Sequence, residues 1–237
     1  PRTEALLLTS ATPHNGDPES FAELIRLLDP TAIADPTDID AADIDHLYVR
    51  RHKQHEEVAA EVRSDWADRL QPQPLLIKAS DAENAMFAEL ANTWIHPASG
   101  TAPTSGKGRT LFPWTLFKAA LSSHRALGET ITARRATLAK RETADEVAEA
   151  EDRALERLGE LNAAIDDQSA SKLTALIEQL KEIGVGPRSD TRVVVFSERI
   201  ATLDWLAATV PKALKLKDND VRVLHGGMAD VKQMDVI

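Results

Sequence analysis

Thr9, Ser10, Thr12, His14 and Asn15 crowd the stretch TSATPHNG, residues 9–16. Hydroxyls, an imidazole and an amide in one loop can exchange hydrogen bonds with a neighbouring loop. A second set lies far along the chain. Ser197 and Glu198 follow the run RVVVF (192–196), and His225, Gly226 and Gly227 follow VRVL (221–224). Each set begins where a short apolar run ends. Small polar residues also suit ordinary turns, so position has to decide between the two uses. Cysteine is absent altogether, which removes disulfides, thiolate nucleophiles and every cysteine-based metal centre.

The elements that must hold these residues are read from hydrophobic period. Ala5 to Leu8 is a continuous apolar run, too short for a buried helix and not alternating, as a buried parallel strand would be. Asp17 then stands as a helix N-cap with Pro18 at the first helical position, and Phe21, Leu24, Ile25 and Leu28 follow on one face. That order predicts strand, elbow and helix, with Thr9 to Gly16 at the strand's carboxyl end, where open parallel sheets bind ligands. Arg192 to Phe196 repeats the pattern, followed by a helix carrying Ile200, Leu203, Leu206 and Val210. VRVLHGG supplies a further strand, so 192–227 is expected to form a βαβ unit with parallel strands.

Between the two ends there is almost no strand signal. A polar, Asp-rich connector leads to a predicted helix through Val62 and Trp66, and QPQP marks a break near residue 75. HPASGTAPTSGKGRT, residues 96–110, reads as a mobile loop, and another helix is expected around Leu116 to Leu127. From Ala136 to Ile165 one long helix is expected, with Val147, Ala150, Ala154, Leu158, Leu161 and Ile165 drawing an apolar seam that needs a partner helix. Leu173, Leu176, Ile177 and Leu180 give the next helix, closed by Gly184. The expected fold is therefore α/β: residues 1–75 and 189–237 as parts of two parallel-sheet regions, joined by a largely helical insert at 76–188.

Composition sets the outer limits. The 237 residues are 43% hydrophobic and 28% charged, with a formal net charge of -10, which argues against a broad basic face while leaving room for a local one. No window approaches the roughly 18 uninterrupted apolar residues of a membrane span. The start, PRTEALLL, lacks the order of a signal peptide, so a cytoplasmic chain with no membrane partner is expected. Two motifs fail on inspection. GTAPTSGKGRT has five residues rather than four between Gly100 and Gly106, and Gly108 stands where a phosphate loop needs a hydroxyl for magnesium. HKQHEEVAA would need a histidine at Ala59 to make a zinc helix. His52 and His55 lack an evident third ligand, and no metal site is expected.

Taken in order, the blocks resemble the SNF2-like ATPases of helicase superfamily 2, in particular their bacterial polymerase-recycling and phage-defence branches. LLLTSATPHNG resembles helicase motif III, SFAELIRLLDP its following helix, and LYVRRHKQ an Arg-Arg-x-Lys block. LFKAALSSHRAL resembles part of the interlobe helical region, SASKLTALIEQL the helix leading into the second lobe, RVVVFSERIATLDWLAATV motif IV, and VRVLHGGM the block after it. The resemblance covers most of the chain and is weakest over 128–168.

It implies parts of two RecA-like lobes whose loops face one another across a nucleotide cleft. Ser10, Ala11, Thr12 and Pro13 are then the motif III elbow that couples ATP hydrolysis to DNA contact. Arg50, Arg51 and Lys53 lie on the nucleic-acid side, where phosphate contacts carry most affinity. Ser197, Glu198, His225, Gly226 and Gly227 offer side chains and glycine-freed amides to a phosphate. DNA, duplex or otherwise, is the implied partner, with ATP and Mg2+ as cofactors of a longer parent. Walker A, Walker B and the arginine-bearing motif VI do not occur in these residues, so neither tight ATP binding nor hydrolysis by this piece is expected. The competing expectation is a non-enzymatic helical scaffold that binds a protein through the seam. A Rossmann-type enzyme would need G-x-G-x-x-G after a strand, which is absent.

Overall fold

The computed structural model describes residues 5–10, 12–13, 16–40, 44–49, 51, 55–62, 70–106, 110–140, 146–217 and 219–234. It divides into two compact units, Pro1–Gln73 and Pro74–Ile237.

In the first unit α1 spans Pro18–Arg26. Asp17 caps it by accepting from the Glu19 amide at 3.2 Å, as the sequence predicts. Ala22 and Ile25 face inward and meet Ile33 and Ile44, with Phe21, Ala32, Ile39 and Leu47 around them. Arg26 holds the returning chain: its Nε and Nη2 donate to the Ile33 carbonyl at 3.2 and 3.0 Å. A short 3-10 turn, Asp45–Leu47, and α2, Glu56–Val62, follow.

The second unit is a helical body. Its helices are α3 Asp81–Glu89, which runs into a wider π-helical turn at Leu90–Ile95, α4 Phe112–Ser122, α5 His124–Ala139, α6 Glu146–Ala163, α7 Ser171–Ile183, α8 Ile200–Leu214 and the short α9 Asp230–Met234. Ser80 and Glu83 form a reciprocal capping box at the start of α3, and Glu83 also accepts from the Ser171 amide at 3.1 Å, tying α3 to α7. Met86, Leu90, Trp94, Leu116, Leu127, Leu155, Leu158, Leu173 and Leu214 make one core drawn from six of these segments. Burial of each such side chain contributes roughly 1.5–3 kcal/mol. Gly184 ends α7 in the left-handed conformation, φ 99°, where the sequence puts a C-cap.

Three expectations fail here. The region read as one helix from 136 to 165 is two: α5 and α6 lie antiparallel, pinned by Arg134–Glu151 near one end and by Asn162 Nδ2 on the His124 carbonyl at the other. Residues 116–127 also belong to two helices. Ser123 breaks them with an extended backbone, and its hydroxyl caps α5 by accepting from Ala126 N at 3.1 Å. Finally, the α/β fold with two RecA-like parallel sheets is not formed. Helices are the only regular elements among the described residues; 5–10, 192–196 and 221–225 are extended but join no ladder.

The reason lies in hydrogen bonding. A helix satisfies its own N–H and C=O groups, whereas a strand needs a neighbour, and no described segment supplies one to these runs. Their side chains are accordingly open to solvent: Leu7 is 86% exposed. Along 193–196 exposure alternates at 40, 74, 39 and 91%, the two-residue period of an extended segment with one side leaning on the body.

Candidate functional site

The end of α4, the first turns of α7 and the start of α8 enclose an open cleft of about 510 Å³. Local sequence builds each wall. Ser123 turns the chain out of α4. Asp166, accepting from Ser169 N and Oγ at 2.8 and 2.7 Å, shapes the turn into α7, and those bonds hold its carboxyl below the usual range. Ser197 shapes the turn before α8 by accepting from the Arg199 amide at 3.2 Å. Leu173, Leu176, Trp205 and Leu206 line the apolar side. Trp205 is fixed by donating Nε1–H to Asp167 Oδ1 at 2.8 Å and by edge contact with the His124 ring, centroids 4.7 Å apart.

At the polar side four hydroxyls run in sequence: Ser197 Oγ to Ser122 Oγ at 3.2 Å, Ser122 Oγ to Thr202 Oγ1 at 2.8 Å, and Thr202 Oγ1 to Ser123 Oγ at 2.7 Å. Lys118 and Lys172 flank them with Glu198. Both lysines are exposed, and neither makes an ion pair among the described residues; Lys172 Nζ donates to the Leu121 carbonyl. The ion pairs of the same body belong to some of its arginines, while Arg188, Arg192 and Arg199 make none among the described residues. Arg125, Arg134, Arg135, Arg153 and Arg157 each meet a carboxylate.

Of the residues singled out in the sequence, this cleft gathers Ser197 and Glu198 but not His225, Gly226 or Gly227. Those three form a local turn in which His225 Nδ1 accepts from Gly227 N at 3.2 Å. A side chain at Gly227 would crowd that imidazole, with Nδ1 3.2 Å from the added Cβ. Ser10 folds back on its own loop, donating to the Thr12 carbonyl at 2.9 Å and accepting from the Thr12 amide at 3.1 Å, and Thr12 and Pro13 are exposed. Arg51 is exposed and pairs with Glu57 at 3.5 Å. Ala11, His14, Asn15, Arg50, His52 and Lys53 lie outside the described residues. Ser10, Thr12, Pro13 and Arg51 belong to the first unit, the cleft to the second. Lys118, Lys172, Ser122 and Thr202 are absent from the sequence reading because they sit on three helices remote from one another in the chain.

A second polar cluster is structural. Glu151, fully buried on α6, accepts from Arg134 Nε and Nη2 at 2.7 and 3.0 Å and from Ser105 N and Oγ at 2.8 and 2.5 Å. Arg134 also lies 4.9 Å above the Phe112 ring. The 96–110 segment read as a mobile loop is thus anchored at Thr104 and Ser105, both buried. Beside it, Arg135 bonds Asp152 through Nε and Nη2 at 2.8 and 3.0 Å, which pulls the Asp152 carboxyl down.

Comparison of the chain with protein-family models, curated proteins and solved structures finds no match. No phosphate loop or Walker B pair is present in the sequence, and no three His, Asp or Glu side chains gather among the described residues. The described residues therefore offer no such set for ATP and Mg2+. Among the described residues no helix is long and apolar enough to cross a membrane.

Proposed function

We propose that this chain is the coupling and nucleic-acid-contacting part of an ATP-dependent SNF2-like translocase. Two things support this reading: the order of the sequence blocks, which resembles that of the family from motif III to beyond motif IV, and the chemistry of the cleft. The carrying observation is the cleft. The Ser197–Glu198 elbow, which the resemblance assigns to nucleic acid, is bonded to the helical body between two unpaired lysines on a chain whose net charge is -10. Two lysines without an acidic partner, facing one cleft, suit a phosphate partner. The elbow at Ser10 and Thr12 would serve as the coupling element. Its two local bonds involve roughly 0.5–1.5 kcal/mol each, small enough to be exchanged when a neighbouring loop moves. ATP chemistry belongs to groups that residues 1–237 do not contain.

Fluorescence anisotropy with a labelled duplex and the matching single strand tests the reading. Binding to at least one is expected at low salt, weakening linearly on a log–log plot as salt rises. Absence of binding to both at low salt overturns it. The scaffold alternative rested on an unpartnered seam along 147–165. In the structure the buried face of α6 packs against the chain's own α5 and α3, and no observation favours that alternative.

A further inference from the structure

We infer that the helical body itself contributes the phosphate grip: Lys118, Lys172 and the Ser197 hydroxyl form one site for a backbone phosphate of nucleic acid. The inference rests on the nucleic-acid reading above and extends it to residues on α4 and α7.

Run in one of its two directions, the hydroxyl chain leaves Ser197 a spare proton. Ser123 Oγ is already an acceptor for the Ala126 amide at 3.1 Å, so its own proton is free to go to Thr202. Passed along, that polarity has Thr202 donating to Ser122 and Ser122 to Ser197. Ser197 Oγ then accepts from Ser122 and from the Arg199 amide, and its proton meets only the Arg199 carbonyl at 3.4 Å. That is longer than the roughly 2.5–3.0 Å of a good hydroxyl bond, so an incoming anionic oxygen is the better acceptor.

Charge points the same way. Lys172 spends one N–H on the Leu121 carbonyl and keeps two; Lys118 has no acidic partner among the described residues. Glu198 lies on the same wall and leaves the cleft one positive charge in excess. A carboxylate ligand would satisfy the lysines too, but the chain is already rich in acids that have not taken these positions. A phosphodiester, which comes in a row along a backbone, also engages neighbouring contacts and makes the binding salt-dependent.

The test uses the full chain, a mixed-sequence labelled duplex and its single strand, and a salt series. Lys118→Gln and Lys172→Gln are each expected to lower the log–log slope by about 0.9 on duplex and about 0.7 on single strand, and to do so equally on unrelated sequences. Lys172→Arg is expected to keep the slope. Ser197→Ala is expected to weaken binding with the slope unchanged, because it removes a neutral donor. Circular dichroism and thermal melting of the lysine variants should match the unaltered chain, since both side chains are exposed. If the double Lys→Gln variant binds with the original affinity and slope, the cleft is not the phosphate site, although the nucleic-acid reading stands. If the unaltered chain binds neither DNA, both fall together.

Discussion

Leu155 and Leu158 on α6 are fully buried, while Val194 and Phe196 on the extended run before α8 are 74% and 91% exposed. The extended run, with three valines in five residues, is the richer of the two in aliphatic side chains. What separates them is where their backbones find partners. A helix closes its hydrogen bonds internally and needs only a neighbour for one face, which α5 gives to α6. An extended run must find both a ladder and a covering layer, and the described residues of this chain give it neither. Hydrophobicity therefore predicts burial here only where the backbone is already satisfied.

The sharpest way to break this comparison is at the buried charge of the helical region. Glu151→Ala leaves Arg134 and the Ser105 amide and hydroxyl without their acceptor, and loss of one member of a buried pair costs about 3–5 kcal/mol. Urea unfolding should show that loss, and a change under about 1 kcal/mol would mean that the 104–105 segment is not held by Glu151. Next in size is a matched pair. Leu158→Ala opens a cavity under α5 and is expected to lose about 2–5 kcal/mol, whereas Phe196→Ser should stay within about 0.5 kcal/mol. A comparable loss at Phe196 would show that the extended run is covered in solution, and the contrast between the two regions would disappear.

Helix boundaries were legible where they rest on one residue's own chemistry. Asp17 with Pro18, and Gly184 with its positive φ, were read correctly because a cap needs no tertiary partner. The face of α6 was misread by a part-turn. Its buried positions are Glu151, Leu155, Leu158 and Asn162, with Ile165 just past its end; the apolar seam has Leu158 and Ile165 right but begins on the exposed Val147 and passes over Leu155, Glu151 and Asn162. Glu151 is buried because Arg134, seventeen residues earlier, neutralises it, and Asn162 because it reaches the His124 carbonyl. Such partners are invisible to periodicity. The cleft was half legible for the same reason: Ser197 is flagged by its place after an apolar run, while Lys118 and Lys172 gain meaning only when α4 and α7 come together.

The smallest expected effect concerns how α8 is held against the body. His124 begins α5, is 8% exposed, and meets Trp205 of α8 ring to ring; its Nε2 has no hydrogen-bond partner. Burial is the main reason its pKa lies below the ordinary 6.5. Arg125 pushes in the same direction, and Asp167, Glu83 and Asp166 push weakly against it. The neutral ring is thus the folded form. Because the folded value is depressed, the unfolded chain binds the proton first as the solution is acidified. Stability is then level above 6.5 and declines as the pH falls below that value toward the folded one. Carboxylates held low by partners, Asp152 and Asp166, lose their contribution only further down, below 3.8, so the two effects occupy separate intervals. Unfolding measured across the upper interval should decline for the natural chain and stay level for His124→Gln. Equal declines in both would mean that His124 is not the titrating contact between α5 and α8, and the seating of α8 would then depend on the hydroxyl chain at Thr202, which does not titrate.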